Sequence, residues 1–134
     1  MQYFGLFLDT DAKNLLMDIL TNNIDFNISL GVADRIFIDH CTLLHKSQLH
    51  GRSELYSYLK SRLGKTVKIQ LVAVGISDKA MAFKVKLPIP CICANDTPHI
   101  TIATFRGGKP VDSNNIIHWR NIKPTEIMSV LDMR

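Results

Sequence analysis

Pro98-His99-Ile100-Thr101-Ile102-Ala103 is the stretch that decides the reading, and His40-Cys41-Thr42-Leu43 repeats its central feature. Each places a threonine two residues after a histidine. Strand side chains alternate between faces, so the two members of a pair point the same way, about 6.6 Å apart. Two such strands turned to one groove surround a gap with two imidazoles and two hydroxyls. That is the equipment for acid–base cleavage of a phosphodiester without a metal. The spacing alone is weak evidence. With 8 Thr, 8 Ser and 5 His in 134 residues, two such pairs arise in roughly one chain of this composition in ten. The surroundings decide: Ile36-Phe37-Ile38 precedes the first pair and Ile100 and Ile102 interleave with the second, so both pairs sit in apolar, β-branched runs that read as strands.

A length of 134 residues with 46% hydrophobic residues is enough to close one core, so a single domain over residues 1–134 is expected. No apolar run approaches the roughly 18 residues of a membrane span, and the N-terminus lacks a basic region followed by an uninterrupted apolar segment. The expectation is a soluble, cytoplasmic protein. Three cysteines, among them Cys91 and Cys93, fit a reducing compartment better than a disulfide framework. Cys91-x-Cys93 is too closely spaced for a zinc knuckle and no second Cys/His pair completes it, so no metal is expected. A net charge of +4 and a pI of 9.1 favour a phosphate-bearing partner over a cationic one without requiring either.

Working outward, Tyr3-Phe4-Gly5-Leu6-Phe7-Leu8 reads as a central strand, followed by a helix capped within Asp9-Thr10-Asp11 with Leu15, Leu16, Ile19 and Leu20 on its apolar face. Asn22 and Asn23 close it, and Asp25 to Asp34 is a polar passage of ambiguous structure. On the next strand Ile36, Ile38, His40, Thr42 and Leu44 share a face, which leaves Asp39 pointing away from His40. Ser53 caps a helix from Glu54 to Leu63 that Gly64 stops. Val67 to Ile76 and Ala80 to Leu87 pair as a hairpin through Ser77-Asp78-Lys79, with Lys84 and Lys86 on one face and Phe83, Val85 and Leu87 on the other. Pro88, Pro90 and Asn95-Asp96-Thr97-Pro98 lead into the second motif strand. Arg106-Gly107-Gly108-Lys109 brings two cations and a permissive backbone close to His99. Trp119, the only tryptophan, suits the core more often than a base-stacking platform.

Two His-x-Thr motifs in a small α+β domain resemble the 2H phosphoesterase superfamily. Around the second motif, Ser77-Asp78-Lys79-Ala80-Met81-Ala82, Cys93-Ala94-Asn95, Lys109-Pro110 and Asp112-Ser113-Asn114 look like the cyclic phosphodiesterase domain of fungal tRNA ligases. The similarity runs from Val67 to Asn115, and the first motif extends it to His40. The resemblance implies a two-lobed fold with antiparallel sheets forming a central cleft and helices packed outside. It implies that His40 and His99 are the general acid and base and that Thr42 and Thr101 bind the nonbridging phosphate oxygens. Tyr3, Arg106, Lys109 and Trp119 complete the candidate set as substrate contacts. The implied protein is a monomer without cofactor that opens an RNA 2',3'-cyclic phosphate to a 2'-phosphate. Its relatives elsewhere in the superfamily degrade 2'-5' oligoadenylate or cyclic oligonucleotide signals, and a non-catalytic RNA-binding module is a third reading. The chain has neither the Gly-x-x-x-x-Gly-Lys-Ser/Thr loop of a kinase nor room for a sealing domain.

Overall fold

The structure, a computed structural model, describes residues 2–89 and 92–134. Its strands are β1 (Tyr3–Phe7), β2 (Arg35–Ile36), β3 (His40–His45), β4 (Thr66–Ile76), β5 (Ala80–Lys86), β6 (His99–Thr104) and β7 (Trp119–Met133). The helices are α1 (Thr10–Thr21), α2 (Ile24–Gly31) and α3 (Ser53–Ser61), with 3-10 turns over Lys46–Gln48 and Pro110–Asn115. Neighbouring strands run antiparallel in the order β6-β3-β1-β7-β4-β5, and β5 pairs back onto β6, so six strands close into a ring with β2 appended to β6. Closure removes the free sheet edges that would otherwise template aggregation. The fold is α+β, as expected, with one continuous ring of antiparallel strands.

The strand pattern places every second side chain in the core. Cys41 and Leu43 on β3, Ile100 and Ile102 on β6 and Phe83 and Val85 on β5 are buried, together with Phe4 and Leu6 of the central strand β1. α1 covers this core with Ala12, Leu16 and Leu20, while Leu15, expected on the apolar face, is 43% exposed. Its start is set by Asp9, whose carboxylate accepts from the Ala12 N–H at 2.8 Å. Of residues 25–34, ambiguous in sequence, all up to Gly31 belong to α2, which is capped by Asn23 and anchored through Phe26 and Leu30. Ser53 is the first residue of α3 rather than its cap, and no side chain caps that end. Leu59 is its buried anchor, and Leu63 lies beyond the helix, half-exposed, before Gly64 turns the chain at φ 83°.

The chain departs from its expected elements in two places. The expected strand through Ile36 and His40 is broken: β2 and β3 lie along the same edge of β6 but are separated by residues 37–39, where Ile38 adopts φ 48°. The Phe37 and Ile38 N–H groups still donate to the Ile102 and Thr101 carbonyls at 2.8 and 3.0 Å, so the break is a bulge held against β6. The second departure is β7, a 15-residue strand between β1 and β4. Pro124 disguises it in sequence. The proline falls where the β4–β7 register jumps between Leu71↔Thr125 and Ala73↔Asn121, the kind of irregularity that tolerates a missing N–H. Pro90 and Cys91, and with Cys91 the Cys91-x-Cys93 pair, lie outside the described residues.

A second, smaller cluster joins Ala80 and Ala82 of β5 to Ile116 and Trp119. Gly75 on β4 lies beneath it: a Cβ there would stand 2.5 Å from Ile116 Cγ2 and 2.6 Å from the Trp119 ring. Gly75→Ala is therefore expected to destabilise the protein by about 1–3 kcal/mol, the usual cost of overpacking. Chemical denaturation followed by Trp119 fluorescence measures it, and an unchanged midpoint would show that the cluster yields freely.

Candidate active site

β3 and β6 put the two motifs on one wall. Their antiparallel pairing centres on Cys41↔Ile100, the middle residue of each motif. Continued by one residue either way, that register sets His40 opposite Thr101 and Thr42 opposite His99. Cys41 and Ile100 point into the core, and the four flanking side chains, all half-buried, point the other way. They line a cleft of about 710 Å³ that also takes in Tyr3, Asp39, Gln48 and Asn95 on one side and Pro110, Val111 and Asn114 on the other.

The two imidazoles have different partners. His40 Nδ1 lies 3.0 Å from Asp39 Oδ2, and its Nε2 lies 3.1 Å from Thr42 Oγ1. Asp39 Oδ1 in turn accepts from Lys13 Nζ on α1 at 3.1 Å. The bulge makes this possible: with Ile38 left-handed, consecutive residues 39 and 40 both reach the cleft. The expectation that Asp39 points away from His40 is thus corrected, because it assumed an unbroken strand. Burial by itself would raise the Asp39 carboxyl, but hydrogen bonds from His40 and Lys13 outweigh it and hold the carboxyl below its ordinary value. The rings of Tyr3 and Phe7 stack on His40 at centroid distances of 4.9 and 5.1 Å and fix its plane.

His99 Nδ1 lies 2.9 Å from the Thr97 carbonyl. A carbonyl only accepts, so the proton sits on Nδ1 and the Nε2 lone pair is free. Burial pushes the His99 imidazolium below its usual range; the Thr97 bond opposes this and charge on His40 adds to it. Thr101 Oγ1 meets Ser113 Oγ at 2.9 Å, which pins the 3-10 turn Pro110–Asn115 over β6. Neither described thiol suits a nucleophile: burial pushes Cys41 far above its ordinary range and raises Cys93 as well.

Of the sequence candidates, the structure gathers His40, Thr42, His99, Thr101 and Tyr3 in the cleft. Arg106, Lys109 and Trp119 do not line it. Arg106, at φ 49°, donates to the Asp78 carbonyl at 3.1 Å and pairs with its carboxylate, and Lys109 is exposed. Trp119 packs in the small β5 cluster with the Lys84 ammonium 5.8 Å from its ring. The glycines between Arg106 and Lys109 serve packing: the Gly107 N–H donates to Asp34 Oδ2 at 2.8 Å and Gly108 lies against the Lys79 backbone. Sequence reasoning missed Asp39, Lys13, Gln48 and Ser113. Two carried a signal: Asp39 in its adjacency to His40, and Ser113 in the Asp112-Ser113-Asn114 segment that shares the family resemblance. Among the described residues no three His, Cys, Asp or Glu side chains converge as a metal site requires.

Residues 34–130 match a family model described as the fungal tRNA ligase phosphodiesterase domain. The match extends the sequence resemblance on both sides, to β2 and through most of β7. A solved fungal RNA kinase shares the fold with a TM-score of 0.67 at 17% identity; the alignment covers 97% of this chain and 44% of that one, so the chain spans less than half the length of that relative. No curated protein matches.

The surroundings of His99 predict how it titrates. The His99 ring is expected to protonate below pH 6.5 in NMR titrations, and to move upward when His40→Gln removes the neighbouring positive charge. As pH falls through the unfolded-state value the unfolded chain takes up a proton that folded His99 refuses, so stability declines on the acid side. A His99 ring titrating at or above 6.5 would contradict this placement.

Proposed function

This chain belongs to the fungal tRNA ligase phosphodiesterase domain family, and on that premise we propose that residues 1–134 form one such domain, a two-histidine phosphodiesterase that opens an RNA 2',3'-cyclic phosphate to a 2'-phosphate. The observation that carries the reading is the pair of imidazoles in one cleft, one held by a carboxylate and the other by a neutral carbonyl. His99, neutral with Nε2 free, takes a proton from water as the water oxygen attacks phosphorus. His40, doubly protonated beside Asp39, gives a proton to O3' as the P–O3' bond breaks. One P–O bond forms and one breaks, and the protons balance between the two rings. Thr42 and Thr101 hold the nonbridging oxygens; the Thr101 hydroxyl, 2.9 Å from Ser113 Oγ, is able to accept from it and turn its own proton to the phosphate. Asp39 is a positioning residue: it holds the His40 tautomer and ring, and offsets the ring's charge.

β3 and β6 share a single register pair, against five between β5 and β6, and we read this short seam as the line between the two lobes. Tyr3 contacts the nucleotide within the cleft, while Arg106, Lys109 and Trp119 are reached only by a longer RNA. The expected setting is cytoplasmic, in keeping with the free thiols of Cys41 and Cys93, and the acting form a monomer. No helix among the described residues is long and apolar enough to cross a membrane.

The test is hydrolysis of an RNA ending in a 2',3'-cyclic phosphate, with the product end identified. His40→Ala and His99→Ala are expected to lose about 10²- to 10⁴-fold in rate while staying folded. Asp39→Asn is expected to lose about 10- to 100-fold, mainly in kcat. Full activity in either histidine variant would overturn the assignment. Cleavage of 2'-5' oligoadenylate in place of the cyclic end would move the substrate, and salt-sensitive RNA binding without product would mark a binding module.

A further inference from the structure

A phosphate between His40 and His99 leaves most of the cleft empty, and the arm beside β3 is built for something with a hydrogen-bonding edge. Its far wall is the 3-10 turn after β3, facing the loop before β6. The His45 N–H donates to Gln48 Oε1 at 2.9 Å, Gln48 Nε2 donates to Asn95 Oδ1 at 2.9 Å, and Asn95 Nδ2 reaches the Thr42 carbonyl at 3.5 Å. This relay fixes which end of each amide is oxygen and which is nitrogen. Each amide keeps one N–H, and Gln48 Oε1 keeps a lone pair, beyond the bonds of the relay. The Ser47 N–H donates to His45 Nδ1 at 3.1 Å, which places the His45 ring proton on Nε2. Tyr3, the cross-strand partner of His45, lies between this wall and the catalytic ring.

We propose that His45, Gln48 and Asn95 form a nucleobase subsite that selects adenine at the ribose bearing the scissile phosphate. This rests on the phosphodiesterase reading and adds a specificity to it. Guanine and cytosine are set apart by the chemistry their edges demand; uracil, whose carbonyl and imide N–H can also meet an amide, is set apart by the adenosine-to-uridine ratio measured below. Guanine is read best by arginine or lysine through two acceptors, and cytosine by a carboxylate that accepts from its amino group. Among the described residues the arm, lined by Gln2, Tyr3, His45, Ser47, Gln48 and Asn95, belongs to a cleft with no arginine or lysine in its lining, and the one carboxylate there, Asp39, is held by His40 and Lys13. What it offers is an oriented amide, an acceptor beside a donor, which matches the amino group and adjacent ring nitrogen of adenine. Unpaired bases at RNA ends are recognised in this way, edge to polar side chains and face to an aromatic ring, the part Tyr3 is placed to play.

The experiment compares kcat/KM for the 2',3'-cyclic monophosphates of adenosine, guanosine, cytidine and uridine, for the wild-type protein, Gln48→Met and Asn95→Leu. The wild type is expected to favour adenosine by about tenfold or more, the size of one good amide–base pairing. Gln48→Met is expected to bring the adenosine-to-uridine ratio close to one. Equal rates for all four bases in the wild type would overturn the subsite and leave the phosphodiesterase reading standing. So would a Gln48→Met variant that loses all four rates alike, because a merely structural relay moves them together. If no cyclic mononucleotide turns over, the RNA-end assay decides the phosphodiesterase reading, and calorimetric titration with adenosine and uridine 2'-monophosphates decides the subsite separately: tighter adenosine binding supports it, and equal or absent binding overturns it.

Discussion

The pairing of Cys41 with Ile100 holds the site together. Both residues are fully buried, and each is the centre of a His-x-Thr motif, so core packing sets the register of the two motifs against each other. A slip of one residue on either strand would send a histidine and a threonine into the core and bring an isoleucine or a cysteine into the cleft. The ring closure enforces this from behind, since β6 is held on its other edge by five register pairs to β5 and β3 is held on its other edge by β1. The mutual placement of the two motifs is thus a by-product of burying apolar side chains.

Symmetry ends at the imidazoles. The motifs are equivalent in sequence and nearly so in register, yet the segments that enter them differ. β6 is entered through a turn whose Thr97 carbonyl is offered to His99, and β3 through a bulge whose Asp39 carboxylate is offered to His40. A carbonyl and a carboxylate are different electrostatic partners, so the two strands give the same short motif two unlike settings. Lys13 extends the arrangement to α1, whose N-terminal cap at Asp9 places that lysine within reach of Asp39.

Much of this was legible in the chain, for physical reasons. Alternation around His40 and His99 marked both strands and their functional face, because a strand half in the core must alternate. The β4–β5 hairpin showed in its Ser77-Asp78-Lys79 turn, and the central position of β1 in its unbroken apolar run. What stayed hidden depended on other segments. Ile38 adopts φ 48° because β6 anchors the backbone around it, and nothing local announces a left-handed isoleucine. Asp39 was consequently placed on the wrong face. β7 was obscured by Pro124, whose tolerance depends on a register jump against β4. The contact of Arg106 with Asp78 depends on a turn 28 residues upstream, which nothing in the Arg106-Gly107-Gly108-Lys109 stretch announces.

The central claim is that His40 is the acid and His99 the base at one phosphorus atom. It is tested most directly with a cyclic substrate in which sulfur replaces the bridging O3', since a thiolate leaves without a proton. The account predicts that this substrate restores the activity of His40→Ala to within about tenfold of wild type and leaves His99→Ala as impaired as before. Restoration of His99→Ala in place of His40→Ala, or of neither, would contradict it.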